Sequence, residues 1–134
     1  MKSLTTKLTI AAAALFAAGA VSAQTMKADI PFAFQAGGKV MAAGTYRVDL
    51  RRHVGLVTIQ GVGGEGAVIA QPITHIDRKE YTAKLVFVCG RGPCTLVQVW
   101  PGYAEDGLLF RSPKLDRNEE ASLTVIHLRP GAAD

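Results

Sequence analysis

Two cysteines, Cys89 and Cys94, have the residue type and spacing best suited to a defined chemistry. The four residues between them, Gly90-Arg91-Gly92-Pro93, are typical of a turn. Counted outward from that turn, Cys89 faces Cys94, and facing residues of an antiparallel pair have Cβ atoms about 4.5–5.5 Å apart. The spacing predicts a structural disulfide that stabilises the fold by about 2 kcal/mol, because the loop is short. The alternative is a redox or metal pair, but redox pairs are typically Cys-x-x-Cys at a helix start, and a metal needs more ligands.

A second pair that could do chemistry is His75 with Asp77, which are two residues apart and so share a face on a strand. A tetrahedral metal site needs three or four ligands, and the neighbouring sequence supplies none. The sequence also contains no Gly-x-Ser-x-Gly motif, and the only serines after residue 23 are Ser112 and Ser122. We therefore expect a protein that is not an enzyme, with no cofactor and no metal.

Trp100 and Tyr103 flank a predicted loop and form the candidate binding surface. An indole and a phenol at a loop can stack on a sugar or on another apolar ligand. The alternative is that Trp100 anchors the core through its large apolar surface while its N–H keeps a polar partner.

The N-terminus predicts where the protein acts. Lys2 and Lys7 precede an apolar run over residues 8–20, and Val21-Ser22-Ala23 provides small residues for cleavage before Gln24. This pattern is typical of a secretory signal peptide, and the apolar run is too short to cross a bilayer. We expect residues 1–23 to be removed and residues 24–134 to form a single exported domain in the periplasm or outside the cell.

The charge of the mature chain argues against nucleic-acid binding. Residues 1–23 hold two lysines and no acidic residue, so the remainder carries 13 basic and 11 acidic residues. A net charge of +2 does not provide the clustered positive excess that nucleic acid requires. Lys39, Arg47, Arg51 and Arg52 could form a basic stripe, or only the polar face of a β-protein. No later apolar segment reaches 18 residues, so we expect no stable membrane insertion after signal removal.

Alternating and apolar segments predict an all-β domain. Residues 45–51 alternate polar and apolar side chains, as in a half-buried antiparallel strand. Residues 84–88 are apolar on both faces, as in a strand that is covered twice. In a regular hairpin Phe87 faces Leu96 and Leu85 faces Gln98, and Trp100 shares the face of Leu96. About eight short strands with frequent turns indicate an antiparallel β-sandwich or a small closed barrel.

Several short motifs resemble a group of small exported proteins of unknown function, known mostly as hypothetical proteins from soil bacteria. The motifs are Ile30-Pro31-Phe32-Ala33-Phe34, Gly37-Gly38, Ala43-Gly44-Thr45-Tyr46-Arg47-Val48, Leu85-Val86-Phe87 and Gln98-Val99-Trp100. The resemblance implies no activity and no catalytic residue. The chain departs from the group at Cys-Gly-Arg-Gly-Pro-Cys, where an aromatic and acidic turn is expected.

Together these features predict an exported, non-enzymatic β-domain that binds an unidentified protein or envelope partner or contributes structurally to the cell envelope. The alternative is a carrier that holds a small apolar ligand inside a β-barrel, since an eight-stranded barrel can enclose one. A third interpretation is an enzyme that uses His75 and Asp77.

Overall fold

The computed structural model describes residues 25–51, 55–102, 104–114 and 120–131, and these residues form strands and connections without a helix. The predicted cleavage site at residues 21–24 lies outside the described residues. Twelve strands, some of only two or three residues, lie within the described residues, compared with the predicted eight. In chain order they are β1 Thr25–Ile30, β2 Phe34–Ala36, β3 Lys39–Met41, β4 Gly44–Arg51, β5 Leu56–Gly61, β6 Ala67–Ala70, β7 Thr74–Glu80, β8 Lys84–Cys89, β9 Cys94–Trp100, β10 Glu105–Leu109, β11 Ser122–His127 and β12 Arg129–Pro130.

The strands form two sheets that pack as a sandwich, which confirms the all-β prediction. The first sheet has the order β12-β1-β4-β5-β6, and all its pairs are antiparallel. The second has the order β11-β8-β9-β10-β7, and β2 joins it by pairing in parallel with β9 and antiparallel with β3. The sheets are not closed into a barrel, so the barrel alternative is wrong. The chain passes from one sheet to the other between β11 and β12, where only Leu128 separates the strands.

The core lies between the two sheets and follows the predicted alternation. On β4, Tyr46 and Val48 are fully buried and Leu50 packs at the core margin. Phe34 on β2 lies between the sheets, with its ring centroid 5.1 Å from that of Tyr46 and 5.6 Å from that of Phe87. Both pairs are edge-to-face, the geometry that aromatic quadrupoles favour. These rings therefore join the first sheet to the second.

One irregularity in the β8–β9 hairpin changes which residues face outward. Phe87 pairs with Leu96 as predicted, but Leu85 pairs with Val99 and not with Gln98, because Val97 is an extra residue on β9. Such a β-bulge shifts the alternation of the strand that carries it. Leu96 consequently packs in the main core, whereas Trp100 packs on the opposite face of the sheet beside Val86 and Val97. The prediction that Trp100 shares a face with Leu96 is wrong for this reason.

Candidate functional site

The outer face of the second sheet carries a band of aliphatic side chains across β8 and β11. Leu123 pairs with Val88 and Val125 pairs with Val86, so all four side chains project to the same face. We call these four residues the apolar strip. Val86 is buried and Val88 half-buried, but Leu123 is 68% exposed and Val125 is 45% exposed.

Trp100 lies beside the apolar strip and is completely buried. Its Nε1–H donates a hydrogen bond of 2.9 Å to Oε1 of Gln98. The Arg78 guanidinium lies 4.9 Å from the ring centroid, and the Lys84 ammonium lies 5.6 Å from it. These are cation–π distances. The indole of Trp100 is therefore covered by other side chains, and its N–H already has a hydrogen-bond partner. It is not available for stacking on a ligand. Tyr103, the other half of the predicted binding surface, lies outside the described residues.

On the outer face of the first sheet, polar side chains of β1, β4 and β12 form hydrogen bonds and an ion pair with one another. Oγ1 of Thr25 donates to the Asp49 carboxylate, and Oγ1 of Thr45 donates to the Asp29 carboxylate, each at 2.8 Å. Arg129 on β12 forms an ion pair with Asp29. The Arg129 hydrogen bond, followed by that of Thr45, lowers the pKa of the Asp29 carboxyl below its ordinary value. The outer face of the first sheet is thus polar along β1 and β4, although Ile69 on β6 is also exposed there.

A cavity of about 370 Å³ lies at one end of the sandwich, between the β4–β5 end of the first sheet and the β7–β10 edge of the second. The apolar part of its lining consists of Leu50, Leu56, Pro101, Ala104 and Leu108. The charged part consists of Arg51, Lys79, Glu105 and Asp106. This volume falls within the range of small-molecule sites. Ala104 has a positive φ of 60°, which an alanine rarely adopts, and its N–H donates to the Glu80 carbonyl. The full lining is Leu50, Arg51, Gly55, Leu56, His75, Lys79, Pro101, Ala104, Glu105, Asp106 and Leu108.

The predicted His75–Asp77 pair is not brought together at this cavity. His75 pairs with Leu108 on β10 and lines the cavity, whereas Asp77 is exposed and does not. The register between β7 and β10 shifts at Asp106 and Gly107, which disturbs the alternation that the shared face requires. Within the described parts of the chain, no three His, Cys, Asp or Glu residues are placed to hold a metal ion.

The predicted basic stripe is divided by the fold. Arg47 and Arg51 lie on the outer face of the first sheet, on β4. Lys39 lies on β3, which belongs to the second sheet, and its Nζ donates to the Ala67 carbonyl at 3.1 Å. Arg52 lies outside the described residues. Lys39 therefore does not extend the positive surface of β4.

Cys89 and Cys94 form a disulfide bond, with Cα atoms 4.2 Å apart. They close the β8–β9 hairpin at its turn, as the count from that turn predicts. The bond also fixes the start of β9, where the Cys94 N–H donates to the Ala33 carbonyl and the strand receives β2.

Sequence reasoning missed the residues that make the two most prominent surface features. The cavity wall is assembled from strand ends that are distant in sequence, and only tertiary structure brings Leu50 and Leu108 together. Leu123 and Val125 did carry a signal, since they alternate on one face of a segment whose other face contributes Ile126 to the core margin. A strand that is apolar on both faces, at the edge of a sheet, indicates an additional contact.

The described residues include no helix that is long and apolar enough to cross a membrane. The chain matches no family model, and comparison with curated proteins and with solved structures finds no significant similarity.

Proposed function

We propose that this protein is an exported, non-enzymatic binding domain that contacts a protein partner through the apolar strip. The observation that carries the proposal is the exposure of Leu123 and Val125 beside Val86 and Val88, on a face directed away from the core. An antiparallel sheet whose outer face meets water usually alternates polar residues outward, as β1 and β4 of the first sheet do here. Contiguous aliphatic side chains on an outer face are typical of a contact surface.

The non-enzymatic part of the proposal is supported by the placement of the titratable groups. Of His75 and Asp77, which could have acted as a general acid and base, only His75 lines the cavity. The export part is supported by Lys2, Lys7, the apolar residues 8–20 and the small residues before Gln24. A disulfide on the surface hairpin agrees with an oxidising compartment.

Site-specific photo-crosslinking in the cell that exports the protein tests this proposal. A benzophenone amino acid at position 123 or 125 is expected to give a discrete covalent adduct on irradiation. The matched control is position 69, since Ile69 is 62% exposed on an edge strand of the first sheet. An adduct of equal yield at position 69, or no adduct at positions 123 and 125, would contradict the proposal.

The cavity supports a second candidate function, the binding of a small ligand with an apolar body. Among the described lining residues, Arg51 and Lys79 are balanced by Glu105 and Asp106, so their formal charges cancel. Balanced charges give no general attraction for an anion or a cation, which favours a neutral ligand. This candidate keeps the predicted ligand class but replaces the barrel interior with a site at the end of a sandwich.

Titration with the neutral fluorophore N-phenyl-1-naphthylamine checks the cavity. We expect saturable fluorescence enhancement that Leu56→Gln weakens by about tenfold, because the amide loses hydrogen bonds to water when a ligand covers it. Ile69→Gln, an exposed control on another surface, is expected to bind the probe like the wild type. Enhancement that is not saturable, or equal affinity in both variants, would exclude this site.

A further inference from the structure

One edge of β9 is shared by two strands whose ends face each other. At the start of β9, β2 pairs with it in parallel and places Gln35 opposite Thr95. Toward the end of β9, β10 pairs with it antiparallel, and the Phe110 N–H donates to the Val97 carbonyl just beyond the last β10–β9 pair. Because the two strands run in opposite directions along the same edge, their carboxyl ends approach each other. β2 then turns back into β3 and the chain after Phe110 leaves the sheet, so a gap opens between the two ends.

A cavity of about 330 Å³ occupies this gap. We call it the edge cavity, and its lining comes from residues 35–38, 71, 95–96 and 110–113. Leu96 and Phe110 belong to the main core and close the edge cavity on its inner side. Among the described residues, none lines both this cavity and the one at the end of the sandwich. The volume lies at the lower end of the range for small-molecule sites, so the edge cavity suits a small ligand.

The neutral polar side chains of the edge cavity can each donate and accept hydrogen bonds. Gln35 and Gln71 contribute amides, and Thr95 and Ser112 contribute hydroxyls. An amide donates through its nitrogen and accepts through its oxygen, and a hydroxyl does both through one oxygen. Within the described part of the chain these four side chains form no hydrogen bond with another residue, so their donors and acceptors are available to a ligand. Such a lining suits neighbouring hydroxyl groups on a ring, each of which also donates and accepts.

Arg111 gives the edge cavity an unbalanced positive charge. Among the described lining residues it is the only one with a charged side chain. It is exposed and, unlike Arg78 and Arg129, forms no ion pair with a described residue. Lys39 and Lys114 directly follow two of the lining segments in the chain and add positive charge nearby. A guanidinium without a partner presents parallel N–H donors that match the two oxygens of a carboxylate.

We propose that the edge cavity binds a sugar acid, that is, a ring with neighbouring hydroxyl groups and one carboxylate. Arg111 binds the carboxylate, and the amides and hydroxyls of the lining bind the ring hydroxyls. Leu96 and Phe110 contact the apolar C–H face of the ring. An acid with a wholly apolar body is disfavoured, because it would cover the amides and hydroxyls without giving them hydrogen bonds. The edge cavity is separate from the apolar strip, so the inference does not rest on the proposed function.

NMR titration of the isotope-labelled mature protein tests the inference. D-glucuronate or D-galacturonate is expected to give saturable shifts of the backbone amides at positions 35–38, 95–96 and 110–112. The expected Kd is on the order of 1 mM, since one ring makes few contacts. D-glucose lacks the carboxylate, and cyclohexanecarboxylate lacks the hydroxyls. Each of these two compounds is expected to bind at least about tenfold more weakly than the better hexuronate.

Two substitutions at exposed positions identify the groups that face the carboxylate. Arg111→Gln removes the charge but keeps a polar side chain, and is expected to weaken hexuronate binding at least about tenfold. Gln71→Glu places a like charge in the edge cavity and is expected to weaken binding by a similar factor. Arg51→Gln is the matched control, because it removes an exposed arginine from the other cavity, and is expected to bind hexuronate like the wild type. The amide spectrum of each variant shows whether it is folded, and the comparison of ligands on the wild type needs no variant.

The inference is overturned if neither hexuronate gives saturable shifts up to about 20 mM, or if the shifts lie only at the cavity at the end of the sandwich. Glucose or cyclohexanecarboxylate that binds as tightly as the hexuronates would also overturn it, because the site would then not recognise hydroxyls and carboxylate together. Equal hexuronate affinity in Arg111→Gln and the wild type would show that the carboxylate is not bound by Arg111, which is equally incompatible with the proposed site.

Discussion

Phe34→Ala is expected to lower the free energy of unfolding by about 4 kcal/mol. Phe34 has no exposed surface, and its ring meets Tyr46 of the first sheet and Phe87 of the second. Truncation removes the transfer free energy of the ring and leaves a cavity that strands on both sides cannot fill without moving. It also removes two edge-to-face ring contacts. Urea unfolding monitored by circular dichroism measures the change.

Two controls separate loss of this inter-sheet contact from general sensitivity to substitution. Phe34→Leu keeps most of the apolar volume and is expected to cost about 1–1.5 kcal/mol. Tyr81→Ala removes a ring that is 82% exposed and is expected to change the free energy of unfolding by less than about 0.5 kcal/mol. A loss in Phe34→Ala no larger than that in Phe34→Leu would show that Phe34 does not join the sheets.

Gly107→Ala is expected to destabilise the protein by about 3 kcal/mol, although it adds a single methyl group. A Cβ on Gly107 would lie 2.7 Å from two atoms of the Trp100 ring and 2.8 Å from a third. Trp100 is fully buried, so the ring cannot move into solvent without disrupting the cluster with Val86 and Val97. Thermal and urea unfolding of the variant measure the loss.

A double-mutant cycle identifies the steric cause. Trp100→Leu is destabilising by itself, but in its background the added methyl group no longer meets a ring. The two substitutions together are therefore expected to cost about 2 kcal/mol less than the sum of the single losses. Gly55→Ala is the control for backbone strain, since Gly55 has a φ of 66° and open space around it, and is expected to cost about 1 kcal/mol. Strict additivity of Gly107→Ala and Trp100→Leu would contradict the steric explanation.

The local pattern of side chains was sufficient to predict those strands, turns and hairpins whose conformation depends on residues close together in the sequence. Tyr46 and Val48 alternate with polar residues and are buried as expected. The Gly37-Gly38 pair takes positive φ values of 56° and 79° and connects β2 to β3. The Cys89–Cys94 hairpin follows from its turn sequence. In each case the determining contacts lie within a few residues.

The remaining features depend on contacts that the linear sequence does not display. Nothing in the run from Cys94 to Trp100 marks Val97 as the extra residue of a bulge, yet that residue decides which face Trp100 occupies. The parallel pairing of β2 with β9 is equally hidden, because it joins segments that are far apart in the chain. The apolar strip could have been noticed from Leu123 and Val125, but its importance depends on β11 being an edge strand, which is a property of the whole sheet.

The parallel pairing of β2 with β9 also sets the order in which the molecule can assemble. Phe34 lies opposite Cys94, so this contact closes a loop of roughly 60 residues, and such distant contacts form slowly. Four of the five strands of the first sheet, β1, β4, β5 and β6, end at or before Ala70. Most of that sheet can therefore form before β8 and β9 have been synthesised. A chain that emerges N-terminus first therefore presents one side of its future interior to water before the opposing layer arrives. The interval before the second sheet arrives is an aggregation hazard.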